Sequence, residues 1–583
     1  MYSTLVDLLS SRAAQTPDQL AYSFLTDGES VKDDYSYQRL HERASIVAAR
    51  LQQDLQFGDR ILLFYEPSME YIAAFFGCMY AGMIPVPAYP PERRNLSRLI
   101  SVIQDSEAAA ALTTSRIYNG LEQIWIANPE ARKALGSQLI WYSSDEFSPS
   151  LLTEYTRPDV KASDLAFLQY TSGSTNKPKG VMLSHGNLIA NSDAITKSFK
   201  HNVDTWVVSW LPPYHDMGLI GGILNPMYNG NSATLMSPIS FLKRPWRWLN
   251  AITQVADNYQ VTSGAPDFAY DLCARKINEE QYETLDLSRW KVAFTGAEPI
   301  REHTLRGFEE RFAAKGFEMS RFFPVYGLAE GTLLATAPDP NADPVRTAFD
   351  KEALEQHRAQ NAVDPINQQV LVACGVAPEG HEARIVNPDT CVECAAGETG
   401  EIWLHGPSVA QGYWQNEAVT EETFRASIAG QEGKHYLRTG DLGFYHEGEI
   451  YITGRIKDLI IIRGRNHYPQ DIESTLTDTI ESLREGCGAA FSVEVGEEEQ
   501  LVIVQELKRE FLRKADPEQI IAEINKLVFQ VHNIRPVAVV LLEPSSFPKT
   551  SSGKVQRRAA RQQFLDKTLR EIHHWTLITA VNA

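Results

Sequence analysis

The feature that most narrows the possible folds is an alternation sustained over about 340 residues. Apolar runs of strand length are separated by stretches with helical periodicity. "YSYQRLHERASIVAARL" places Leu40, Ala44, Val47 and Leu51 on one helical face, and "RILLFY" follows as a buried strand. "AAALTT", "QLIWYS", "LAFLQY", "WVVSWL", "ATLMS" and "KVAFTG" repeat the strand signal. "PWRWLNAITQVADNY" and "REHTLRGFEERFAAKG" repeat the helical one. Such a pattern requires an α/β body built on a parallel sheet.

The texture then changes twice. "HEARIVNP", "GEIWLHGPSV" and "EGEIYITGR" are short strands with Gly and Pro turns, expected as a small β-subdomain on the large body. From about 458, "DLIIIRGRNHYPQDIESTL", "QLVIVQEL", "EQIIAEINKLVFQVH" and "VAVVLLEP" read as a compact α+β unit. The expected division is therefore 1–456 and 457–583.

The formal net charge is −19, which disfavours nucleic acid or an anionic membrane as the main partner. The six cysteines are too sparse for a disulfide framework. "CVEC" at 391–394 lacks the second ligand pair of a zinc site, so two thiols in a turn are expected there. "YIAAFFGCMYAGMIPVPAYPP" at 71–91 carries no charge, but Pro85, Pro87, Pro90 and Pro91 cut its helical part short of a membrane span. The N-terminus shows no signal-peptide pattern, and a reducing, cytoplasmic location is the default expectation.

"YTSGSTNKPKG" at 170–180 hangs a Gly- and hydroxyl-rich cationic loop between two apolar runs. Backbone N–H groups, the hydroxyls of Thr171, Ser172, Ser174 and Thr175, and the charges of Lys177 and Lys179 suit a polyphosphate. The loop is not the nucleoside-triphosphatase P-loop, and alone it would more often be a solvated turn. Six further polar tips follow in order: "WLPPYHDMGLIGG" (210–222), "FTGAEPI" (294–300), "VYGLAEGT" (325–332), "YLRTGDLG" (436–443), "GRIKDLIIIRGRN" (454–466) and "PKTSSGKVQR" (548–557). Each lies in a loop or at the end of an apparent strand, where α/β bodies collect ligand groups.

Together these motifs resemble the adenylate-forming superfamily of acyl-CoA synthetases, peptide-synthetase adenylation domains and luciferases, over nearly the whole chain. The resemblance implies that a carboxylate attacks the α-phosphate of ATP, with Mg²⁺ present, and that the acyl-adenylate then acylates a thiol. It implies that Thr171, Ser172, Gly173, Ser174, Thr175 and Lys179 hold the phosphates. Gly296, Ala297 and Glu298 would line the adenine pocket, with Tyr326 and Gly327 against the base. Glu330 would hold Mg²⁺, a cation that suits a carboxylate beside phosphate oxygens. Asp441 would take the ribose hydroxyls and Arg455 the ribose and phosphate. Lys554, otherwise an ordinary surface lysine, would bridge acyl carboxylate and α-phosphate. Lys457 would be the hinge about which the C-terminal unit turns. His215 would act near the reacting carboxylate, with Gly218, Leu219, Ile220, Gly221 and Gly222 lining the acyl pocket. That glycine-rich run reads equally as a helix packed tightly in the core. No acidic partner for a substrate amine is evident, which favours a fatty or other apolar acid.

Two features resemble the fatty acyl-AMP ligase branch. Asn466 in "RGRNHYPQDIE" stands where many CoA-using relatives carry Arg, and residues 341–373 form an added segment. In that branch the acyl group goes to the phosphopantetheine of an acyl carrier protein, and the added segment is held to restrict the rearrangement CoA needs. Phe349, Leu354, Val363 and Ile366 are the expected apolar anchors of the segment. No carrier attachment motif follows Lys554, so the carrier is expected in trans. An acyl-CoA synthetase with an insertion, or an inactive relative that binds nucleotide or acyl-adenylate, are the alternatives. The oligomeric state is not legible.

Overall fold

The computed structural model describes residues 2–91, 96–127, 139–171, 178–431, 433–462, 465–495, 498–550 and 553–577. The alternating pattern folds into two parallel sheets rather than one. The larger has seven strands in the order Phe322–Pro324, Trp290–Thr295, Gln260–Ala265, Thr205–Ser209, Ser232–Met236, Leu20–Leu25 and Lys32–Ser36. All its pairings are parallel except the last, at the edge. The second sheet holds Ile84–Ala88, Arg60–Phe64, Ala110–Thr113 and Ile140–Ser143, wholly parallel. Strands buried on both faces explain the continuous apolar runs of the sequence.

Local rules account for the helices. Tyr37–Asp54 starts at Ser36, whose side chain caps Arg39 N–H, and it buries Leu40, Ala44, Val47 and Leu51 completely. The uncharged 71–91 stretch resolves into the core helix Met69–Tyr80 and the strand Ile84–Ala88, whose prolines fit because it lies at the sheet edge. No helix among the described residues is long and apolar enough to cross a membrane.

"LAFLQY" departs from the expected parallel pattern. Leu165–Thr171 pairs antiparallel with Lys179–Ser184, so these two strands form a hairpin instead of joining the parallel sheets. The small β-subdomain is a four-stranded antiparallel sheet of Glu382–Val386, Gly400–His405, Leu437–His446 and Glu449–Arg455. "RTGDLG" is thus part of a strand, not a loop.

The 341–373 segment forms its own hairpin, Arg346–Asp350 against Gln368–Val372, with the short helix Lys351–Glu355 at its turn. Phe349 is fully buried with ring centroids 5.1 Å from Phe444, 5.1 Å from Tyr451 and 5.0 Å from His446. The segment therefore docks on the antiparallel sheet. Phe349 and Leu354 are anchors as expected, but Val363 (97% exposed) and Ile366 (92%) are not. Both lie in the turn before the returning strand, where Asp364 accepts from Ile366 N–H and no apolar surface faces them.

The C-terminal unit has a sheet of Leu483–Val495, Glu498–Leu507, Ala538–Leu542 and Glu571–Thr576, covered by the helices Pro469–Thr479, Pro517–His532 and Arg557–Leu565. Its apolar clusters are separate from the core of the large body.

Candidate active site

Three of the motifs leave the C-terminal ends of parallel strands in the seven-stranded sheet. Residues 210–222 follow Thr205–Ser209, 296–298 follow Trp290–Thr295, and 325–332 follow Phe322–Pro324. Open α/β sheets hold their ligands at this edge. The chain turns here under tight packing. A Cβ on Gly327 would lie 1.8 Å from Leu333 O, so only glycine fits. Ala297 adopts φ +67°, a left-handed conformation uncommon for a residue with a side chain.

The β-subdomain contributes a charged network. Asp441, 6% exposed, accepts from Tyr326 Oη at 2.7 Å and from Arg455 Nε at 3.0 Å. Asp441 and Arg455 are direct partners on adjacent antiparallel strands, which fixes their spacing. Burial, then the Asp441 charge, keeps the Tyr326 phenol well above its usual range. The Arg455 side chain remains 67% exposed, with donors left for a ligand.

Glu330 is partly buried, and burial raises its carboxyl above the usual value. Tyr413 Oη donates to Glu330 Oε1 at 2.8 Å, while Lys179 Nζ lies 4.7 Å over the Tyr413 ring. Burial lowers Lys179 and the neighbouring charge of Lys457 adds to it, so the hairpin of Lys179 and the turn Ile456–Asp458 share one field. Ser172, Gly173, Ser174, Thr175 and Lys177 lie outside the described residues; Thr171 ends the first strand of the hairpin.

Glu298 Oε1 accepts from Phe268 N–H at 2.8 Å, and burial raises this carboxyl against the opposing charge of Lys554. Burial also raises Asp216, where the charge of Lys554 is the first opposing influence; at Glu298 it comes after the Phe268 hydrogen bond. The lysine from the C-terminal unit thus acts on two carboxylates of the large body. Its turn is closed by Thr550 N–H donating to Lys554 O at 2.8 Å and Lys554 N–H donating to Thr550 Oγ1 at 2.9 Å. Ion pairs hold the units in this arrangement: Glu485 of the C-terminal sheet meets Arg275 at 3.0 Å and Arg301 at 3.7 Å.

His215 is partly buried, edge-on to Tyr89 at 5.9 Å, and its carbonyl accepts the N–H of Leu219. The next residue, Asp216, caps Met217–Leu224, a π-helix, by accepting from Met217 N–H. Such wide turns recur at functional sites. A Cβ on Gly218 would lie 2.1 Å from Pro212 O. Gly218 lines an apolar cavity of about 20 Å³ with Leu211, Ile223, Tyr71, Ile72 and Met236. Leu219 and Ile220 are wholly buried in the core, Gly222 abuts Ser209, and Gly221 meets Leu333. The run is thus both tightly packed and, at Gly218, cavity-lining.

Sequence reasoning missed Asp216, Tyr413 and Asp267. Asp216 stands inside a quoted motif, yet nothing local distinguishes it from a solvated acid. Asp267, 4% exposed, accepts from Arg301 N–H and Thr304 Oγ1, and burial together with Glu298 pushes it up to about 7. Tyr413 reaches Glu330 from 83 residues away, a juxtaposition without a sequence signal.

The comparisons with known proteins agree with this geometry. The AMP-binding enzyme profile matches residues 9–414, and the profile described as "Disco-interacting protein 2-like, AMP domain" matches 457–574. A medium-chain-fatty-acid–[acyl-carrier-protein] ligase of Moorena producens is 42% identical, covering 97% of this chain and 96% of its own. A medium-chain-fatty-acid–[acyl-carrier-protein] ligase of Teredinibacter turnerae is 35% identical, covering 98% and 94%. The crystal structure of a Legionella pneumophila fatty acyl-adenylate ligase with acyl adenylate and pyrophosphate superposes with a TM-score of 0.75 at 39% identity, covering 99% and 98%. On the parallel-strand edge, the charged network and this kinship, the chain belongs to the AMP-binding enzyme family, in its fatty acyl-AMP ligase branch.

Proposed function

We propose that the chain activates a fatty acid with ATP to acyl-AMP and passes the acyl group to the phosphopantetheine thiol of a separate acyl carrier protein. The observation that carries this reading is the arrival of Lys554, from the C-terminal unit, in the field of Asp216 and Glu298 on the large body. The likeness to carrier-protein ligases over nearly the full length supports it.

In the first step a carboxylate oxygen forms a bond to the α-phosphorus and the bond to pyrophosphate breaks. Two anions meet, so the protein must supply cations and N–H donors. Lys554 bridges the acyl carboxylate and the α-phosphate, and Lys179 with the 171–177 loop takes the departing phosphates. Asp441 accepts from the ribose hydroxyls, with Arg455 beside it; Gly296, Ala297, Glu298, Tyr326 and Gly327 frame the base. His215 stands at the acyl end and Gly218 opens the acyl pocket. In the second step the thiol sulfur attacks the acyl carbon and AMP leaves. Lys457 is the hinge, and the units divide at 456/457.

Glu330 fits a Mg²⁺ ion. It is a partly buried carboxylate whose charge is disfavoured by burial, so Glu330 would hold the cation and the ion's positive charge would offset that cost. When bound, the ion neutralises the phosphate charge.

The test incubates fatty acid, ATP and Mg²⁺ alone, with CoA, and with a phosphopantetheinylated carrier protein. Acyl-AMP alone and with CoA, and acyl-carrier with the carrier, is the expected pattern. Efficient acyl-CoA formation would make the chain a CoA synthetase, and no pyrophosphate release would make it an inactive relative.

A further inference from the structure

The underside of the 341–373 segment meets the C-terminal unit across a polar joint. Asn466 Nδ2 donates to the Glu355 carbonyl at 2.9 Å and to His357 Nε2 at 2.7 Å. An amide NH₂ only donates, so His357 Nε2 must be the unprotonated acceptor and the ring must be neutral. Lys351 Nζ donates to the Val531 carbonyl at 2.9 Å, and Arg465 lies 3.6 Å from the Glu355 carboxylate.

Beside these contacts is a cavity of about 10 Å³ lined by Lys351, Leu354, Glu355, Gln369, Asn466, His467, Tyr468, Asp471 and His532. His467 and Tyr468 are 4% and 5% exposed, yet His467 Nε2 and Tyr468 Oη have no hydrogen-bond partner, and neither does His357 Nδ1. His532, 5% exposed, uses Nε2 on Thr475. Three neutral imidazoles are thus packed at one joint beside Lys351 and Arg465.

We propose that Asn466 is a positioning residue that fastens the C-terminal unit to the 341–373 segment in the adenylation arrangement, and that protonation of the surrounding histidines releases this joint. This rests on the reading above, in which that arrangement presents Lys554 for the first step.

The direction follows from the titratable and charged groups lining the joint, with Glu352 acting on Glu355, and Glu473 and Arg301 on Asp471, from further out. Burial lowers His467 to about 4 and His532 to about 3, and it lowers His357 as well, against an ordinary 6.5. The closed joint is therefore favoured above pH 6.5, and that advantage is lost as the pH falls, because opening lets the rings take up protons. Asp471, raised by burial to about 6, and Glu355, raised by burial and 3.9 Å from His467 Nδ1, act in the opposite sense. The charges of Lys351 and Arg465 oppose a charged imidazole at His467. Between about pH 5 and 6.5 the uptake by His467 and His532 on opening exceeds the release from Asp471, so acid opens the joint.

The experiment uses the full chain with Cys391→Ser and Cys394→Ser, carrying a fluorescence donor–acceptor pair at Val203→Cys and Leu512→Cys, which are 82% and 41% exposed. Transfer efficiency is followed from pH 7.5 to 5.5, alongside hydroxylamine trapping of acyl-AMP. A reversible change with a midpoint between about 5 and 6.5 is expected. Asn466→Ala should raise the open population roughly tenfold at pH 7.5, as expected for the loss of two hydrogen bonds. His357→Gln, which accepts from Asn466 but cannot gain a proton, should move the midpoint to lower pH. Adding His467→Gln and His532→Gln should flatten the curve. A pH-independent transfer efficiency in a protein that still forms acyl-AMP overturns the proposal. So does a His357→Gln curve that overlays the parent's. Absence of acyl-AMP would instead overturn the activity reading and leave the joint to be judged by the fluorescence alone.

Discussion

Phe349→Ala tests whether the added segment governs the choice of acceptor. The ring is fully buried and makes edge contacts with Phe444, Tyr451 and His446 at 5.0–5.1 Å. Removing such a side chain costs about 3–5 kcal/mol where the cavity cannot collapse. The loss falls on a local hairpin rather than on the core of the large body, so it should appear as undocking of the segment. At about 1.4 kcal/mol per factor of ten, the docked fraction falls relative to the undocked by about 10²–10³ or more. Undocking frees Lys351, whose ammonium is bonded to Val531 O, so tryptic cleavage after Lys351 should accelerate by a similar factor. Acyl-AMP formation should persist and acyl-CoA should rise from near zero. Val363→Ser, at a 97% exposed position, is the matched control and should change nothing. Faster cleavage without any acyl-CoA would show that the segment is not the block. Unchanged cleavage at Lys351 would show that Phe349 is not its anchor.

Three further outcomes are expected. Lys554→Ala should fold normally and lose pyrophosphate release by roughly 10²–10³, the usual loss for one transition-state donor, and near-normal turnover would remove Lys554 from the chemistry. Glu330→Gln should raise the Mg²⁺ concentration needed for half-maximal activity, while an unchanged titration would leave Glu330 a structural acid bonded to Tyr413. Asp267, held up to about 7 against an ordinary 3.8, favours the folded state at low pH, and that contribution is lost as the pH rises through 7. Asp267→Asn should therefore flatten the decline of stability between about pH 4 and 7 by up to about 1.4 kcal/mol per pH unit; an unaltered slope would show that the carboxyl is already ionised.

The α/β body was legible because periodicity and burial point the same way, as in Leu40, Ala44, Val47 and Leu51. The two-sheet division was not, since parallel pairing depends on crossovers that leave no local mark. "LAFLQY" has the same apolar composition as its parallel neighbours, and only the return of Lys179–Ser184 makes it a hairpin. Phe349 and Val363 were equivalent as apolar letters; what separates them is whether a sheet face lies opposite, and that is decided by tertiary packing. The motif residues were legible from the family resemblance, whereas Tyr413 and Asp267 enter through partners far away in the chain. The Asn466 joint was half legible: the residue stood out, but its partners, the Glu355 carbonyl and the His357 ring, did not.

Under the proposed function, the pairing of Asp441 with Arg455 across adjacent strands bears on the order of events in turnover. Arg455 is the last residue of its strand, and Lys457 stands two positions further on. A swing of the C-terminal unit about Lys457 would pull first on the strand end that carries Arg455. The grip on the nucleotide sugar would then loosen in step with the swing and not before it. Such a coupling would keep the adenylate seated while its mixed anhydride is intact, and would let AMP go only after the thiol step has begun. Premature escape of the activated acid, and its waste by hydrolysis, would be checked by where one arginine sits on its strand.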